Sequence, residues 1–341
     1  MTQITEQRPE QSGYSMNWLP NLSAGLIIGL LQSFMAGSYA ALIFSGDLSP
    51  YISQGIGLTL MGTIITGLIV AAFTSLPGTI GGSQGVSAAI MGTMAAAMAA
   101  EIPAGGSSVD SFFTVVVAIA LVTLATGLFF WILGHFRLGG LVRFLPYPVV
   151  GGFLAGTGWL IVIGAISMMV DVPASAANLS ALFQPDVLIY WLPGLVLAVI
   201  LFAATRSSDH FLILPALLIG FVLLFFLVAR LAGYSLAELS AGGWLLGPFP
   251  PDDGALWRPL TPAMLSQVNW STILNQLANI VAIMTVSAIS LLLNAGALEL
   301  ATDRDLEVNH DLQVAGAANM LAGLAAGLVG FKQLGLSTIN F

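Results

Sequence analysis

The sequence predicts an all-α polytopic membrane protein, and three observations predict it. Charge is scarce: 57% of the 341 residues are hydrophobic and only 7% are charged, where a soluble domain carries about 25% charged residues. Nearly charge-free runs recur along the chain, the mean hydropathy is +0.95, and ~20 apolar residues suffice to cross the hydrocarbon core as a helix. The 38 glycines are scattered through these runs; they would weaken soluble helices, whereas in a bilayer small residues let helices approach closely. The absence of cysteine removes disulfides and thiolate metal sites. The net charge of -8 belongs to the loops and argues against a nucleic-acid partner.

Taken in order, residues 1–20 form a polar tail carrying Glu6, Arg8 and Glu10, without the basic-then-apolar order of a signal peptide. Four apolar spans follow in residues 21–134: Leu22 to Phe44, Ile56 to Leu76, Val86 to Ala100 and Phe112 to Leu133. Residues 135–232 hold three more, Val149 to Val170, Leu188 to Ala204 and Phe211 to Ala229. Residues 233–270 form a Gly-, Pro- and Trp-containing loop that separates two halves, and Trp244, Trp257 and Trp270 suit an interfacial belt. Residues 271–341 hold Ile273 to Leu300, Val314 to Val329 and the beginning of a tenth span near Gly335, so that Phe341 reads as a fragment boundary. The result is about nine and a half spans. Arg8, Arg137, Arg143, Arg206 and Arg304 all fall on one side and Arg230 and Arg258 on the other, which by the positive-inside rule makes the N-terminus cytoplasmic. Asp171, Asp186, Asp252 and Asp253 then lie outside.

Two places interrupt the long spans. One is the Gly-rich bend Pro77 to Ile90 before a segment too short to span comfortably; the other is Gly330 to Asn340. Gly85-Val86-Ser87-Ala88 aligns with Gly335-Leu336-Ser337-Thr338, each with a glutamine upstream, Gln84 and Gln333. They fall in the third and tenth spans, and a repeat of seven spans inverts its topology across the membrane. Paired glycine-interrupted short segments in the two halves point to a transporter site.

A helix that starts inside a bilayer leaves its first N–H groups unpaired and carries partial positive charge there. Two such starts facing one another would hold an anion. In that reading Ser83, Gln84, Ser87 and Ser337 add polar side chains, and Gly85 and Gly335 let an oxyanion approach the backbone. Lys332, a cation costly at that depth unless paired, would be relieved by the anion. Ser287, Ser290 and Asn294 share one face of the eighth span and would line the pathway. The bland alternatives are glycine-rich turns with capping serines, a lysine snorkelling to the interface, and helix–helix hydrogen bonds. His135, His210 and His310 lie at span ends without metal-ligand spacing, and no cofactor or metal site is expected. No nucleophile–base pair or phosphate loop suggests an enzyme.

Two stretches then resemble a known family. Gly134-His135-Phe136-Arg137-Leu138-Gly139-Gly140-Leu141-Val142-Arg143-Phe144-Leu145-Pro146-Tyr147-Pro148-Val149-Val150-Gly151-Gly152-Phe153 resembles the signature between spans four and five of the sulfate-permease (SulP, SLC26-type) anion transporters. Asn309-His310-Asp311-Leu312-Gln313-Val314-Ala315-Gly316-Ala317-Ala318-Asn319 resembles the motif entering span nine, with its acid-then-Leu and Gly-x-x-Asn spacing. Four shorter segments, Ala40 to Gly46, Pro77 to Ile80, Leu291 to Ala295 and Gly330 to Leu334, resemble a branch whose members often carry a C-terminal cyclic-nucleotide-binding domain.

The resemblance implies a seven-plus-seven inverted-repeat fold. Spans one to four and eight to ten would belong to a core domain, spans five to seven to a gate domain, with substrate between the half-helices of spans three and ten. It implies a secondary transporter of a small inorganic anion such as sulfate or bicarbonate, working by elevator-like alternating access in the plasma (inner) membrane, with lipid around it and room for a homodimer in the full-length protein. It also places Ser290 where cation-coupled members hold a carboxylate and Leu336 where many animal members hold an arginine, which argues against cation coupling through that site. A carrier of amino acids or other organic solutes of the same fold, or an anion channel, stays open beside it.

Overall fold

The computed structural model describes residues 18–101, 108–140, 147–170, 179–207, 213–245, 257 and 259–338. The N-terminal tail, Arg143 and much of the 233–270 loop lie outside the described residues. Helix α1 (Trp18–Ile43) turns through a 3-10 segment, Gly46–Tyr51, into α2 (Ile52–Phe73). Gly46 sits at φ +59, in the left-handed region that favours glycine. Behind the turn the Phe44 ring packs so closely on Gly55 that an added Cβ would stand 2.3 Å from it. After α2 the chain is extended at Thr74 and reaches β1 (Gly81–Ser83), which leads straight into α3 (Gly85–Glu101). Helix α3 has 17 residues, about 25 Å long, short of the ~30 Å of a hydrocarbon core.

Helices α4 (Ser108–His135), α5 (Tyr147–Val170), α6 (Leu179–Leu182), α7 (Pro185–Ser207) and α8 (Ile213–Leu231) follow, then α9 (Leu236–Ala241), α10 (Pro262–Leu265) and α11 (Trp270–Asn275). The second half closes with α12 (Leu277–Thr302), α13 (Val308–Leu324), β2 (Gly330–Lys332) and α14 (Leu334–Thr338). Among the described residues six helices are long and apolar enough to cross a membrane. The segments expected as spans three, nine and ten are the shorter α3, α13 and α14.

Helices α1 to α4 and α11 to α13, with β2, contribute to one apolar core that contains Phe44, Met91, Met94, Phe130, Leu291 and Phe331. Its tightest seam runs between α4 and α13, where glycine faces backbone. A Cβ on Gly127 would meet the Met320 nitrogen at 2.6 Å, one on Gly316 the Trp131 nitrogen at 2.7 Å, and one on Gly323 the Leu124 nitrogen at 2.8 Å. This is the close approach that scattered glycines permit, because dispersion between near-contacting backbones replaces the hydrophobic drive that lipid does not supply. Helix α7 packs against both α5 and α8, and α5 against α1 and α3. Leu214 and Leu218 of α8 touch a small cluster of Ile28, Leu31 and Leu336.

Outside the spans, α9 starts with a capping box: the Ser235 hydroxyl accepts from the Glu238 N–H, and Glu238 accepts from the Ser235 N–H at 2.8 Å. The Ser235 N–H first, and then the Ser235 hydroxyl donating to the same carboxylate at 2.8 Å, hold the Glu238 carboxyl below its ordinary value. The three tryptophans expected at an interfacial belt differ in their surroundings. Trp270 is exposed, but Trp257 turns inward and donates to the Ala325 oxygen at 2.9 Å, and Trp244 lies against Tyr190 and Phe225. An indole N–H near buried carbonyls gains more from such a partner than from an interface.

Candidate functional site: two helix starts on one β-ladder

The two sequence interruptions come together as an antiparallel ladder. Gly81 pairs with Lys332, Gly82 with Phe331 and Ser83 with Gly330. Helix α3 leaves one end of the ladder and α14 the other, so the two helix starts flank it. The bonding at its two ends is the same. The Gln84 N–H donates to Val329 and the Gln333 N–H to Ile80; the Ala88 N–H donates to Gln84 and the Ser337 N–H to Gln333. Gln84 is therefore equivalent to Gln333, and Ala88 to Ser337. This shifts the sequence alignment by one residue: Gly85 is equivalent to Leu334 and Ser87 to Leu336, since hydrogen-bond register, and not residue likeness, decides equivalence in a ladder.

The register also sorts the expected site residues. Ser337 is fully buried, its hydroxyl donating to the Gln333 oxygen at 2.6 Å and accepting from the Ile80 N–H at 3.0 Å. Its hydroxyl proton, expected to face an anion, is directed at the Gln333 oxygen instead, and the oxygen joins the second repeat to the first. Ser87 is likewise fully buried and shares a 2.8 Å hydrogen bond with Ser287 of α12. Ser83 bonds Thr63 of α2 at 2.8 Å. Gln84 donates to Phe331 at 3.1 Å, and Gln333 donates to Ser83 at 2.7 Å. These side chains build the scaffold from within, as buried polar groups must find partners.

Lys332 departs most from expectation. Its Nζ is 2.5 Å from Asp311 Oδ2, with both side chains nearly inaccessible. The charge that an anion was expected to relieve is met by the protein's own carboxylate. Asp311 also accepts from the Ser75 N–H at 2.9 Å, the Ser75 hydroxyl at 2.7 Å and the Thr74 hydroxyl at 3.2 Å, which ties α13 and β2 to the end of α2.

What remains for a ligand is narrower. The N–H groups of Gly85, Val86 and Ser87 open α3 and have no carbonyl one turn earlier within it. Gly335 is exposed, with nothing within 4 Å of the position of a Cβ, whereas a Cβ on Gly85 would stand 3.0 Å from the Tyr39 hydroxyl. Ser290 is half-buried and has no partner among the described residues. Asn294 makes only a long 3.4 Å bond to the Lys332 oxygen.

Several supporting residues were not singled out from sequence. Gln32 donates to Gly81 at 3.0 Å and to the Gln333 side chain at 3.1 Å, and a lone glutamine in an apolar span is the signal that would have found it. Tyr39 covers Gly85. Asn319 brackets Gly330, accepting its N–H at 2.8 Å and donating to its oxygen. The Gly-x-x-Asn spacing thus has a physical reading: Gly316 admits α4 and Asn319 clamps β2. The two stretches that carry the family resemblance also meet, for the Gly139 N–H donates to the Asn309 side chain at 2.9 Å.

Long apolar helices around two interrupted ones, joined through an antiparallel ladder with inverted-repeat bonding, define a multi-pass membrane transporter fold. The chain belongs to the sulfate permease family, whose profile matches residues 19–341. The transmembrane domain of the cyanobacterium bicarbonate transporter BicA is similar in structure, with a TM-score of 0.63 at 20% identity over 95% of this chain and 76% of that one. The murine anion transporter Slc26a9 in its inward-facing state gives 0.64 at 13% identity over 94% and 52%. Among curated proteins, the vacuolar basic amino acid transporter VSB1 of Saccharomyces cerevisiae is 26% identical over 315 residues, 90% of this chain. The chain spans only 30% of the length of that relative. The family and these neighbours are transporters, not enzymes.

Proposed function

We propose that this chain is the substrate-binding part of a secondary transporter of small inorganic anions of the sulfate or bicarbonate type, with the anion beside the β1–β2 ladder. The observation that carries the reading is the ladder itself, which sets two helix starts beside an open Gly335, and first-turn N–H groups lack partners within their own helix. In this reading the backbone at Gly85, Val86 and Gly335 binds the oxyanion, Ser290 and Asn294 line the approach, and Ser83, Gln84, Ser87, Ser337 and Lys332 hold the geometry.

Elevator-like movement fits the packing. Helices α1 to α4 and α12 to α14 would carry the anion as the core, while α5, α7 and α8 would serve as the gate. Their shared surface includes the small apolar cluster of Leu214 and Leu218 with Ile28, Leu31 and Leu336, which offers few polar bonds to break on sliding. The N-terminus is proposed to be cytoplasmic, and the membrane to be the plasma (inner) membrane. A second reading, transport of an amino acid through its carboxylate, is favoured by the curated vacuolar relative, because a carboxylate would use the same N–H groups.

The test is uptake into proteoliposomes containing the full-length protein, with competition by sulfate, bicarbonate and amino acids. Saturable anion uptake abolished by Gly335→Asp, which introduces a like charge where space is open, is the expected result. Competition by amino acids alone would select the second reading, and an ohmic current without saturation would make the protein a channel.

A further inference from the structure

We infer that Asp311 sets the charge of the anion this protein accepts: by neutralising Lys332 it suits the site to a singly charged anion over a doubly charged one. The inference rests on the anion site proposed above.

Lys332 is the only lysine in the sequence. It ends β2, two residues ahead of the start of α14, and its backbone oxygen accepts from Asn294. The described arginines, Arg137, Arg206, Arg230 and Arg304, are all exposed. Lys332 is thus the buried cation at the ladder, its side chain 4% exposed and that of Asp311 3%. Asp311 is no loose counter-ion. Beyond Lys332 it accepts three hydrogen bonds from Thr74 and Ser75, which fix it against the Nζ. Glu299, anchored by the Leu306 N–H at 3.0 Å, also acts on Lys332.

A pair so placed, with the Glu299 carboxylate beside it, leaves no net positive charge at the ladder. The attraction left for an anion is that of oriented N–H groups, roughly half an elementary charge at the start of a helix such as α3. That balances a monovalent anion far better than a divalent one, whose second charge would sit desolvated without a counter-charge. Removing one member of the pair would therefore alter selectivity as well as stability. For a unit charge taken to act over about 10 Å in an effective dielectric of about 20, binding of each ligand charge changes by roughly tenfold. A divalent ion feels this twice, so the ratio of the two affinities moves by roughly tenfold.

The experiment measures competition between bicarbonate and sulfate for uptake by the full-length protein in proteoliposomes at fixed pH. The wild type is expected to favour bicarbonate. Asp311→Asn should move the ratio roughly tenfold toward sulfate, and Lys332→Gln should move it about as far the other way. The double variant Asp311→Asn with Lys332→Gln should keep the wild-type ratio, since it removes both charges together while leaving an acceptor for Thr74 and Ser75. Opposite shifts that cancel in the double variant are something that structural damage does not produce. A wild type that takes sulfate as readily as bicarbonate, or single variants that express but leave the ratio unchanged, would overturn the inference while leaving the site intact. If Asp311→Asn does not fold, Lys332→Gln and the double variant still decide it. If Gly335→Asp also leaves anion uptake untouched, the site itself is misplaced, and the inference falls with it.

Discussion

Replacing Gly316 by alanine adds one methyl group to the α4–α13 seam, and the structure states what that methyl meets. Its Cβ would stand 2.7 Å from the Trp131 nitrogen and 2.8 Å from the Gly127 oxygen, both backbone atoms of α4 that no side-chain rotation can move. Restoring ordinary contact requires the helices to part by about 0.7 Å, and a gap of ~0.5–1 Å forfeits a quarter to a half of the dispersion attraction along the seam. Overpacking of this kind costs ~1–3 kcal/mol, offset by up to ~1 kcal/mol from the better helix propensity of alanine. Gly127→Ala is its mirror, with the Met320 nitrogen at 2.6 Å. The controls are Gly29→Ala and Gly220→Ala, where an added Cβ meets nothing within 4 Å. The assay is thermal unfolding of the purified protein in detergent, followed by size-exclusion behaviour. Both seam variants should melt below the wild type and both controls at or above it. A Gly316→Ala protein as stable as Gly220→Ala would refute the account of the seam.

The remaining expectations follow from single residues. Asn319→Ala strips Gly330 of both partners and leaves a buried N–H unpaired, so thermal stability should fall by roughly 1–3 kcal/mol with uptake lost alongside; unchanged melting would show that β2 does not depend on that clamp. Ser337→Ala should lower the melting temperature, because Ile80 loses its acceptor, while substrate affinity in the surviving protein stays near wild type. A tenfold weaker affinity at unchanged melting would return Ser337 to the substrate. If the N-terminus is cytoplasmic, a cysteine at Ser207 should be shielded from an impermeant reagent in intact cells and one at Ser240 should react, and the reverse pattern would invert the topology. Glu238 has its carboxyl held low in the folded state, so its cap contributes above the unfolded carboxylate value and is lost as pH falls through the folded one. Glu238→Gln should therefore speed amide exchange in α9 at neutral pH and make no difference in acid; an equal effect at both pH values would rule the charged cap out.

The candidate site was legible in the sequence as a pair of interrupted segments, less so as a set of atoms. Glycine-broken segments stand out in an apolar chain, so residues 77–90 and 330–340 could be found without any structure. The partners of their side chains could not. Ser87 and Ser337 look alike in sequence, but one bonds Ser287 and the other caps Ile80. The difference arises from a one-residue shift in the ladder that residue similarity conceals. Lys332 raised the right question about a buried cation, and the answer came from Asp311, 21 residues away in sequence. Asp311 sits at the head of a helix, where an acid is ordinary.

Composition and hydropathy by themselves determined that the protein spans a membrane many times, because scarce charge and long apolar runs leave no other solvent for the chain. Sequence also determined the family, through two motifs whose glycines and asparagine allow little substitution: Gly316 lies against the backbone of α4 and Asn319 satisfies both polar groups of Gly330. The tertiary structure alone decided which polar groups are spent on the scaffold and which stay open. Hydrogen-bond satisfaction is a property of three-dimensional neighbours. Gln32, Gln84 and Gln333 bond across the ladder from α1, the first repeat and the second, and such bonds between distant parts of the chain leave no local pattern to read.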